Sequence, residues 1–310
     1  MTQTEILNSN LSKSDKMRKL FELGLTRKEV AELMQVGYGF AQNVYAKIYG
    51  VSRMRTSTTL SFLETFVFNH KFGIEIEAYG IGRDLLASKL REAGIESNTG
   101  SRTTSSNVWK VTTDGSISGR NSFELVSPIL EGQDGIEQLK KVCEVLKRNN
   151  ALINKSCGLH IHFDARQFEL EHWKGLYKNY ARLEDTIDSF IVPSRRENNN
   201  TYCNSVEVWN WESRVTNARN LNEIGGVFSS KYYKVNVQPF WRQGSVEFRH
   251  HSGSIEFEKI SNWIFFLARL IELSKTKAFS TGTFDTLREF CNQELIDYLA
   301  NRIQKLNPSA

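Results

Sequence analysis

The sequence predicts an α+β fold in which an antiparallel sheet is flanked by helices and preceded by a small all-helical module. Three observations support this prediction. Segments that alternate apolar and polar residues recur after residue 70, long segments with helical spacing separate them, and residues 14–49 contain three short helical patterns. We therefore expect a helical module over residues 1–50, a linker over 51–69 and a sheet domain over 70–310.

The composition is typical of a folded protein in a reducing compartment. Of the 310 residues, 40% are hydrophobic and 24% are charged. The most apolar run, residues 263–267, is far shorter than the ~18 residues of a membrane span. The first residues lack the basic and apolar regions of a signal peptide, and the four cysteines form no C-x-x-C pair. We therefore expect a cytoplasmic protein that has neither disulfides nor a membrane partner.

Positive charge is concentrated near the beginning of the chain. The formal net charge is +5, and the first 60 residues contain nine basic and five acidic residues. Such asymmetry is typical of a small module that contacts an acidic partner.

The first three helical patterns predict a helix-turn-helix. Ser14 and Asp15 form a candidate N-cap, Gly24 ends the first helix, and Thr26 begins a capping box for the second. The third helix would begin near residue 38 as a recognition helix. Its outward side chains are candidates for contact with DNA or RNA, namely Tyr38, Gln42, Asn43 and Lys47. The alternative is a trihelical element used for packing or oligomerisation.

The first predicted strand of the sheet domain, residues 72–78, carries two carboxylates. Residues i and i+2 of a strand point to the same face, so Glu75 and Glu77 project together while Ile74 and Ile76 face the core. Two adjacent carboxylates both stay ionised only with a cation between them or solvent around them. The pair therefore indicates either a metal site or a solvated edge strand.

Three further predicted strands add polar residues. Residues 157–164 place His160 and His162 on one face, where paired imidazoles can hold a metal ion or a phosphate. A hairpin of residues 231–240 and 244–250 places Glu247 and Arg249 on one face. Residues 108–111 and 123–128 form another hairpin around an Asp-Gly turn. Its second strand carries Glu124, which is either a ligand or part of a rim salt bridge.

Helices and one polar loop are predicted between and after these strands. Helical spacing covers residues 133–149, 169–191, 256–275 and 284–305. The Asn-rich loop over residues 194–203 contains Arg195 and Arg196. Two adjacent arginines can clamp a phosphate or carboxylate, or they can simply be solvated at the surface.

Antiparallel pairing would bring these polar faces onto one surface. The surface would carry four carboxylates, two imidazoles and one guanidinium. Carboxylates with an added imidazole suit Mg²⁺ and Mn²⁺, and the added arginine suits a metal-bound polyphosphate.

Six short motifs follow one another in the sheet domain. They are G-I-E-I-E (73–77), W-K-V-x-x-D-G-S-I (109–117), F-E-L-V-S-P (123–128), C-G-L-H-I-H-F-D (157–164), R-R-E-N-N-N-T-Y-C (195–203) and S-V-E-F-R (245–249). In this order they resemble the amidoligase family of the carboxylate–amine ligase superfamily, which includes glutamine synthetase and glutamate–cysteine ligase. The resemblance covers residues 72 to about 270.

The resemblance implies a curved, funnel-shaped antiparallel sheet like that of glutamine synthetase, which binds ATP and Mg²⁺ or Mn²⁺ ions. ATP would phosphorylate a carboxylate of a glutamate-like compound or of a peptide. An amine would then attack the acyl phosphate and form the amide. The implied metal ligands are Glu75, Glu77, Glu124, His160 and Glu247. The implied catalytic and nucleotide-binding residues are His162 and Arg249, with Arg195, Arg196 and Tyr202 as weaker candidates in the nucleotide- and substrate-binding loop.

Two other functions fit the same residues. The protein could be a nucleic-acid-binding regulator whose ligase-like domain has lost catalysis. It could also be a phosphohydrolase or kinase that uses the same metal ligands. The clustered charges favour a ligase over a scaffold, because a scaffold has little need of them.

Overall fold

The computed structural model describes residues 2–37, 40–41, 44–45, 62–63, 65–100 and 107–308. The chain divides into two compact units, residues 1–57 and 58–310. No helix among the described residues has the length and apolar character needed to cross a membrane.

The first unit contains helices α1 (Gln3–Leu7), α2 (Lys13–Glu22) and α3 (Arg27–Leu33) in its described part. Helix α1 is not predicted by the sequence pattern. Helix α2 has Ser12 as its N-cap, where Ser14 was expected, because the Ser12 side chain accepts the backbone N–H of Asp15. The capping box at Thr26 and the left-handed conformation of Gly24 agree with the prediction.

The predicted nucleic-acid contacts of this unit fall outside the described residues. They are Tyr38, Gln42, Asn43 and Lys47. The helix-turn-helix therefore stays a prediction.

The second unit is built on an open, mixed sheet, with eight strands in its described part. The spatial order is β2–β3–β4–β1–β6–β8–β7, and β5 pairs with the start of β1. The strands are β1 (Lys71–Ala78), β2 (Ser97–Thr99), β3 (Trp109–Thr112), β4 (Phe123–Val126), β5 (Leu130–Glu131), β6 (Gly158–Asp164), β7 (Val235–Asn236) and β8 (Ser245–Ser252).

The prediction that the sheet is antiparallel throughout is wrong at one edge. Strand β2, which follows helix α4 (Arg83–Glu92), runs parallel to β3, whereas a hairpin would have made these two consecutive strands antiparallel. The pairs that surround β1, β6 and β8 are antiparallel, as expected. The funnel shape implied by the resemblance stays a prediction.

Three long helices pack with the apolar face of the sheet into one core. They are α5 (Gly132–Arg148), α6 (Leu170–Ser189) and α10 (Phe257–Ser274), and α10 contacts both of the others. At the crossing of α6 and α10, a Cβ atom on Gly175 would lie 2.2 Å from the carbonyl oxygen of Ser274. Only glycine therefore permits this close approach of the two backbones.

Two predicted elements are interrupted. Within the predicted strand 231–240, Val235 and Asn236 form β7, and Tyr233 forms an isolated bridge to Asn204. The strand does not continue to residue 240, because Pro239 has helical backbone angles, lacks an N–H and leads into the short helix α9 (Phe240–Gln243). The predicted helix 284–305 is divided into a 3₁₀ helix (Phe284–Glu289) and α11 (Gln293–Leu306), which Asn292 caps. Residues 211–230, which carry no interpretable pattern, contain α7 (Trp211–Asn217) and α8 (Leu221–Val227).

Two buried histidines on β8 predict that acid destabilises the fold. Burial lowers the pKa of His250 to about 4 and that of His251 to about 3, against an ordinary value of 6.5. Below about pH 6.5, the unfolded chain therefore binds protons that the folded chain excludes, and stability falls as pH falls. We expect the free energy of unfolding to drop by roughly 2 kcal/mol per histidine between about pH 7 and about pH 5.

Urea unfolding at a series of pH values measures this effect. A matched variant, His251→Gln, should reduce the number of protons taken up on unfolding by about one. Equal free energies of unfolding at pH 5 and pH 7 would contradict the prediction.

Candidate metal and phosphate site

The sheet places the predicted metal ligands on one face of four neighbouring strands. Glu77 of β1 lies opposite Glu124 of β4, and Glu75 of β1 lies opposite His160 of β6. His162 of β6 lies opposite Glu247 of β8. The intervening apolar residues enter the core, because alternate residues of a strand face opposite sides. The structure thus brings together the residues that the strand pattern singled out.

The side chains of this face lie within a few ångströms of one another. His160 Nδ1 is 3.0 Å from Glu75 Oε2 and 3.7 Å from Glu247 Oε1. His160 Nε2 is 3.8 Å from Glu77 Oε1. His162 Nε2 is 3.4 Å from Glu75 Oε1 and 3.8 Å from Glu247 Oε1. The two imidazoles of β6 therefore lie between the carboxylates of β1 on one side and the carboxylate of β8 on the other.

Most of these groups are buried, which makes unbalanced negative charge costly. Glu124 is 0% exposed, Glu77 is 5% exposed and Glu247 is 4% exposed. A carboxylate removed from water is stabilised only by hydrogen bonds, by opposite charge or by a metal ion. A face that carries several such carboxylates is consequently suited to a cation.

Among the residues that the structure describes, three sets of ligand atoms are close enough to hold metal ions. Within each set the atoms lie no more than 4.8 Å apart. The first set is Glu75, His162 and Glu247, the second is Glu75, Glu124 and His160, and the third is Glu77, Asp114 and Glu124. Neighbouring sets share Glu75 or Glu124. Their oxygen-rich composition with one imidazole or none fits Mg²⁺ or Mn²⁺.

The structure adds two residues that the sequence did not single out. Asp114 joins Glu77 and Glu124 in the third set, whereas its Asp-Gly sequence indicated only a turn. Its place in the motif W-K-V-x-x-D-G-S-I was the available signal. Asn236 of β7 donates a hydrogen bond from Nδ2 to Glu247 Oε2 at 2.5 Å. Asn236 thereby fixes one oxygen of Glu247 and leaves the other facing the histidines.

The electrostatics of the face favour ionised carboxylates. Burial alone would raise the pKa of Glu75, but the hydrogen bond with His160 and the close approach of His162 outweigh it and hold that pKa well below its ordinary value. Burial opposes ionisation of Glu247 too, and the charges of Arg249, His162 and His160 lower its pKa. Burial disfavours a charged His162, yet its pKa is raised by Glu75 and Glu247.

Arg249 lies at the end of this row and donates two hydrogen bonds. Its Nη1 donates to Glu247 Oε1 at 2.5 Å, and its Nε donates to the backbone carbonyl of Tyr202 at 3.3 Å. Its side chain is 12% exposed. Burial alone would lower its pKa, but Glu247 and Glu75 raise it, so the guanidinium is a permanent and oriented positive charge.

Arg195 also lies beside the carboxylates. It is the buried last residue of a 3₁₀ helix (Pro193–Arg195), and its Nη2 donates to the carbonyl of Cys157 at 2.8 Å. The next residue, Gly158, donates its N–H to Glu77 Oε2 at 2.6 Å. A Cβ on Gly158 would lie 2.8 Å from His160 Nε2 and 3.3 Å from Arg195 Nη2. Glycine is therefore required where Arg195, Glu77 and His160 meet.

The other two loop candidates are used differently. Arg196 donates from Nε to the carbonyl of Ile191, which follows α6, and from Nη1 to Asn307 Oδ1 at the end of α11. Neither of these hydrogen bonds goes to the carboxylates. Tyr202 contributes its backbone carbonyl to Arg249, while its side chain is 47% exposed. The sequence did not distinguish Arg195 from Arg196, because side chains of an irregular loop do not alternate between two faces as those of a strand do.

Comparison with known proteins is consistent with this arrangement. A protein-family model described as "Putative amidoligase enzyme" matches residues 69–271, which include every residue of the three ligand sets and Arg249. A search of curated proteins finds no match to the chain.

Proposed function

The chain belongs to this amidoligase family, and on that basis we propose that it is an ATP-dependent ligase that joins a carboxylate to an amine. An oxygen of the acid attacks the γ-phosphorus of ATP, the bond to ADP breaks, and an acyl phosphate forms. The amine nitrogen then attacks the acyl carbon, phosphate leaves, and the nitrogen loses a proton. The products are an amide, ADP and phosphate.

The observation that carries this proposal is the buried row of carboxylates and imidazoles with Arg249 at its end. Glu75, Glu77, Glu124, His160 and Glu247 would hold Mg²⁺ or Mn²⁺, and we add Asp114 to this set. The bound metal ions would neutralise the phosphate oxygens of ATP.

The chain's own residues supply orientation and charge. Arg249 is already fixed by Glu247 and by the Tyr202 carbonyl, so it needs no reorganisation when negative charge develops on the transferred phosphoryl group. The imidazole of His162, on β6, lies between Glu75 and Glu247 and would contact the phosphate oxygens of ATP. Arg195 would add a second positive charge beside Glu77.

A protein nucleophile is not needed for this reaction, and the cysteine nearest the site is unsuited to the role. Cys157 is buried, and burial raises the pKa of its thiol. Phosphorylation of the substrate supplies the leaving group directly.

Product analysis tests the proposed reaction. The full-length protein would be incubated with ATP, Mg²⁺ or Mn²⁺, a panel of glutamate-like acids and peptides, and a panel of amines. Equal amounts of ADP, phosphate and amide are expected. A phosphoester product would instead indicate a kinase, phosphate without amide a phosphohydrolase, and no turnover a non-catalytic regulator.

We also propose that the N-terminal unit binds DNA or RNA, because nine basic residues lie within the first 60. The full-length protein is expected to bind duplex DNA at low salt, with an affinity that falls steeply as salt rises. Removal of residues 1–55 should abolish this binding and leave ATP turnover largely intact. Absence of binding to any DNA or RNA at low salt would contradict the proposal and favour a packing role.

A further inference from the structure

A buried network of charges lies next to the site and belongs to none of the ligand sets. Lys234 is 0% exposed, and its ammonium lies 2.8 Å from Glu184 Oε1 and 3.0 Å from Asp188 Oδ1. Both carboxylates come from successive turns of α6. Since a buried ion pair is a poor source of stability compared with apolar residues of similar size, this network calls for another explanation.

His250 extends the network toward β8. Its Nε2 is 2.5 Å from Asp188 Oδ1, and its Nδ1 is 2.8 Å from the hydroxyl of Tyr180. Because burial lowers the pKa of His250 to about 4, the ring is neutral near pH 7. Nε2 therefore donates to Asp188, and Nδ1 accepts from the Tyr180 hydroxyl.

A β-bulge connects this network to the candidate site. The pairing of β6 with β8 shifts between Leu159 and Ile161, so that Arg249 and His250 both lie opposite His160. Arg249 consequently contacts Glu247 on the polar face, while His250 contacts Asp188 inside the protein. The two adjacent residues thus link the site to the buried network.

The second oxygens of the two carboxylates hold the Asn-rich loop together with the three residues after it, a loop that spans residues 195–206. Asp188 Oδ2 accepts the backbone N–H of Glu197 at 2.7 Å, and Glu184 Oε2 accepts the backbone N–H of Val206 at 2.9 Å. Lys234 itself donates its backbone N–H to the carbonyl of Asn204. Both ends of the loop are therefore tied to the network.

The tied loop carries two contacts to the site. Arg195 lies two residues before Glu197, at the end of the 3₁₀ helix, and its Nη2 donates to the carbonyl of Cys157 beside the carboxylates. The carbonyl of Tyr202 accepts the Nε–H of Arg249. The position of each of these two arginines depends on where the loop lies.

We propose that Lys234, Glu184, Asp188 and His250 form a positioning network that holds the loop over residues 195–206 and thereby orients Arg195 and Arg249. The network touches no reacting group. Its effect on the rate rests on the proposed ligase function, whereas its effect on the loop does not.

Hydrogen exchange of the full-length protein tests the effect on the loop. Asp188→Asn replaces an acceptor of Lys234, His250 and the Glu197 N–H by an amide that cannot accept all three. We expect amides of residues 196–206 to exchange about 10–100-fold faster in this variant, which corresponds to loss of a hydrogen bond to a charged group. The rest of the sheet should keep its protection.

A milder pair of variants keeps the test valid if Asp188→Asn fails to fold. His250→Leu removes the donor to Asp188 and leaves Lys234 paired, whereas His250→Gln retains an N–H donor and an acceptor at the end of the side chain. We expect faster loop exchange and a lower kcat for His250→Leu, and near-normal values for His250→Gln. The KM for ATP should change less than kcat, because the metal ligands are untouched.

Glu272→Gln is the matched control, because it removes the carboxylate charge from another His–carboxylate contact, the 2.9 Å pair of Glu272 on α10 with His70. It should leave exchange of residues 196–206 unchanged. The proposal is overturned if folded Asp188→Asn and His250→Leu leave loop exchange at the wild-type rate, or if Glu272→Gln alters the loop as much as they do. If the protein proves not to be a ligase, loop exchange still decides whether the network positions the loop.

Discussion

Replacement of Arg249 by lysine is expected to lower kcat of the proposed ligase by about 10²-fold or more while the protein stays folded and binds metal normally. Lysine keeps the positive charge but cannot reproduce the planar fork that now donates both to Glu247 and to the Tyr202 carbonyl. The ammonium would therefore lose its fixed direction toward the transferred phosphoryl group. Steady-state kinetics with saturating Mg²⁺ and ATP measure the effect.

Arg148→Lys is the control for this substitution, because the Arg148 side chain on α5 is 76% exposed and pairs with Glu144, which belongs to none of the ligand sets. It should have wild-type kcat. A folded Arg249→Lys variant with wild-type kcat would remove Arg249 from the catalytic machinery.

Replacement of Glu75 by glutamine is expected to have an equally large effect through the metal. Glu75 belongs to two of the three ligand sets and contacts both histidines, at 3.0 Å and 3.4 Å. Glutamine keeps the shape but removes the charge that a hard divalent cation requires. We expect Mn²⁺ affinity to fall by about 100-fold or more and ATP turnover to be lost.

Titration calorimetry with Mn²⁺ measures this loss without any substrate. The matched control is Glu131→Gln, since Glu131 lies on β5 beside the start of β1 and its side chain is 63% exposed. Equal Mn²⁺ affinity in Glu75→Gln, Glu131→Gln and the wild type would contradict metal binding by the two ligand sets that contain Glu75.

Strand parity made much of the candidate site predictable from the sequence. On three strands, polar site residues alternate with apolar residues, and burial of the apolar residues places the polar ones on the opposite face. These polar residues are Glu75, Glu77, His160, His162 and Glu247. The same rule does not reach irregular segments. It could not separate Arg195 from Arg196, nor show that Asp114 in a turn comes back to Glu77 and Glu124.

Long-range contacts account for what the sequence did not predict. Lys234 lies in a segment that was predicted as an ordinary strand, and its partners Glu184 and Asp188 are about 50 residues earlier, on the face of a helix that the pattern assigns to the core. The β-bulge that turns His250 inward leaves no local signature. The parallel pairing of β2 with β3 likewise could not be predicted from the three residues of β2, because strand direction is a property of the pairing between two segments.

The acyl phosphate is the centre of this account, and hydroxylamine tests it most directly. With ATP, Mg²⁺ and an accepted acid, hydroxylamine should capture the activated carboxyl group as a hydroxamate in proportion to the ADP formed, and Arg249→Lys should reduce both together. ADP formation with that acid, accompanied by neither hydroxamate nor amide, would contradict the ligase proposal and identify the protein as a phosphohydrolase or kinase.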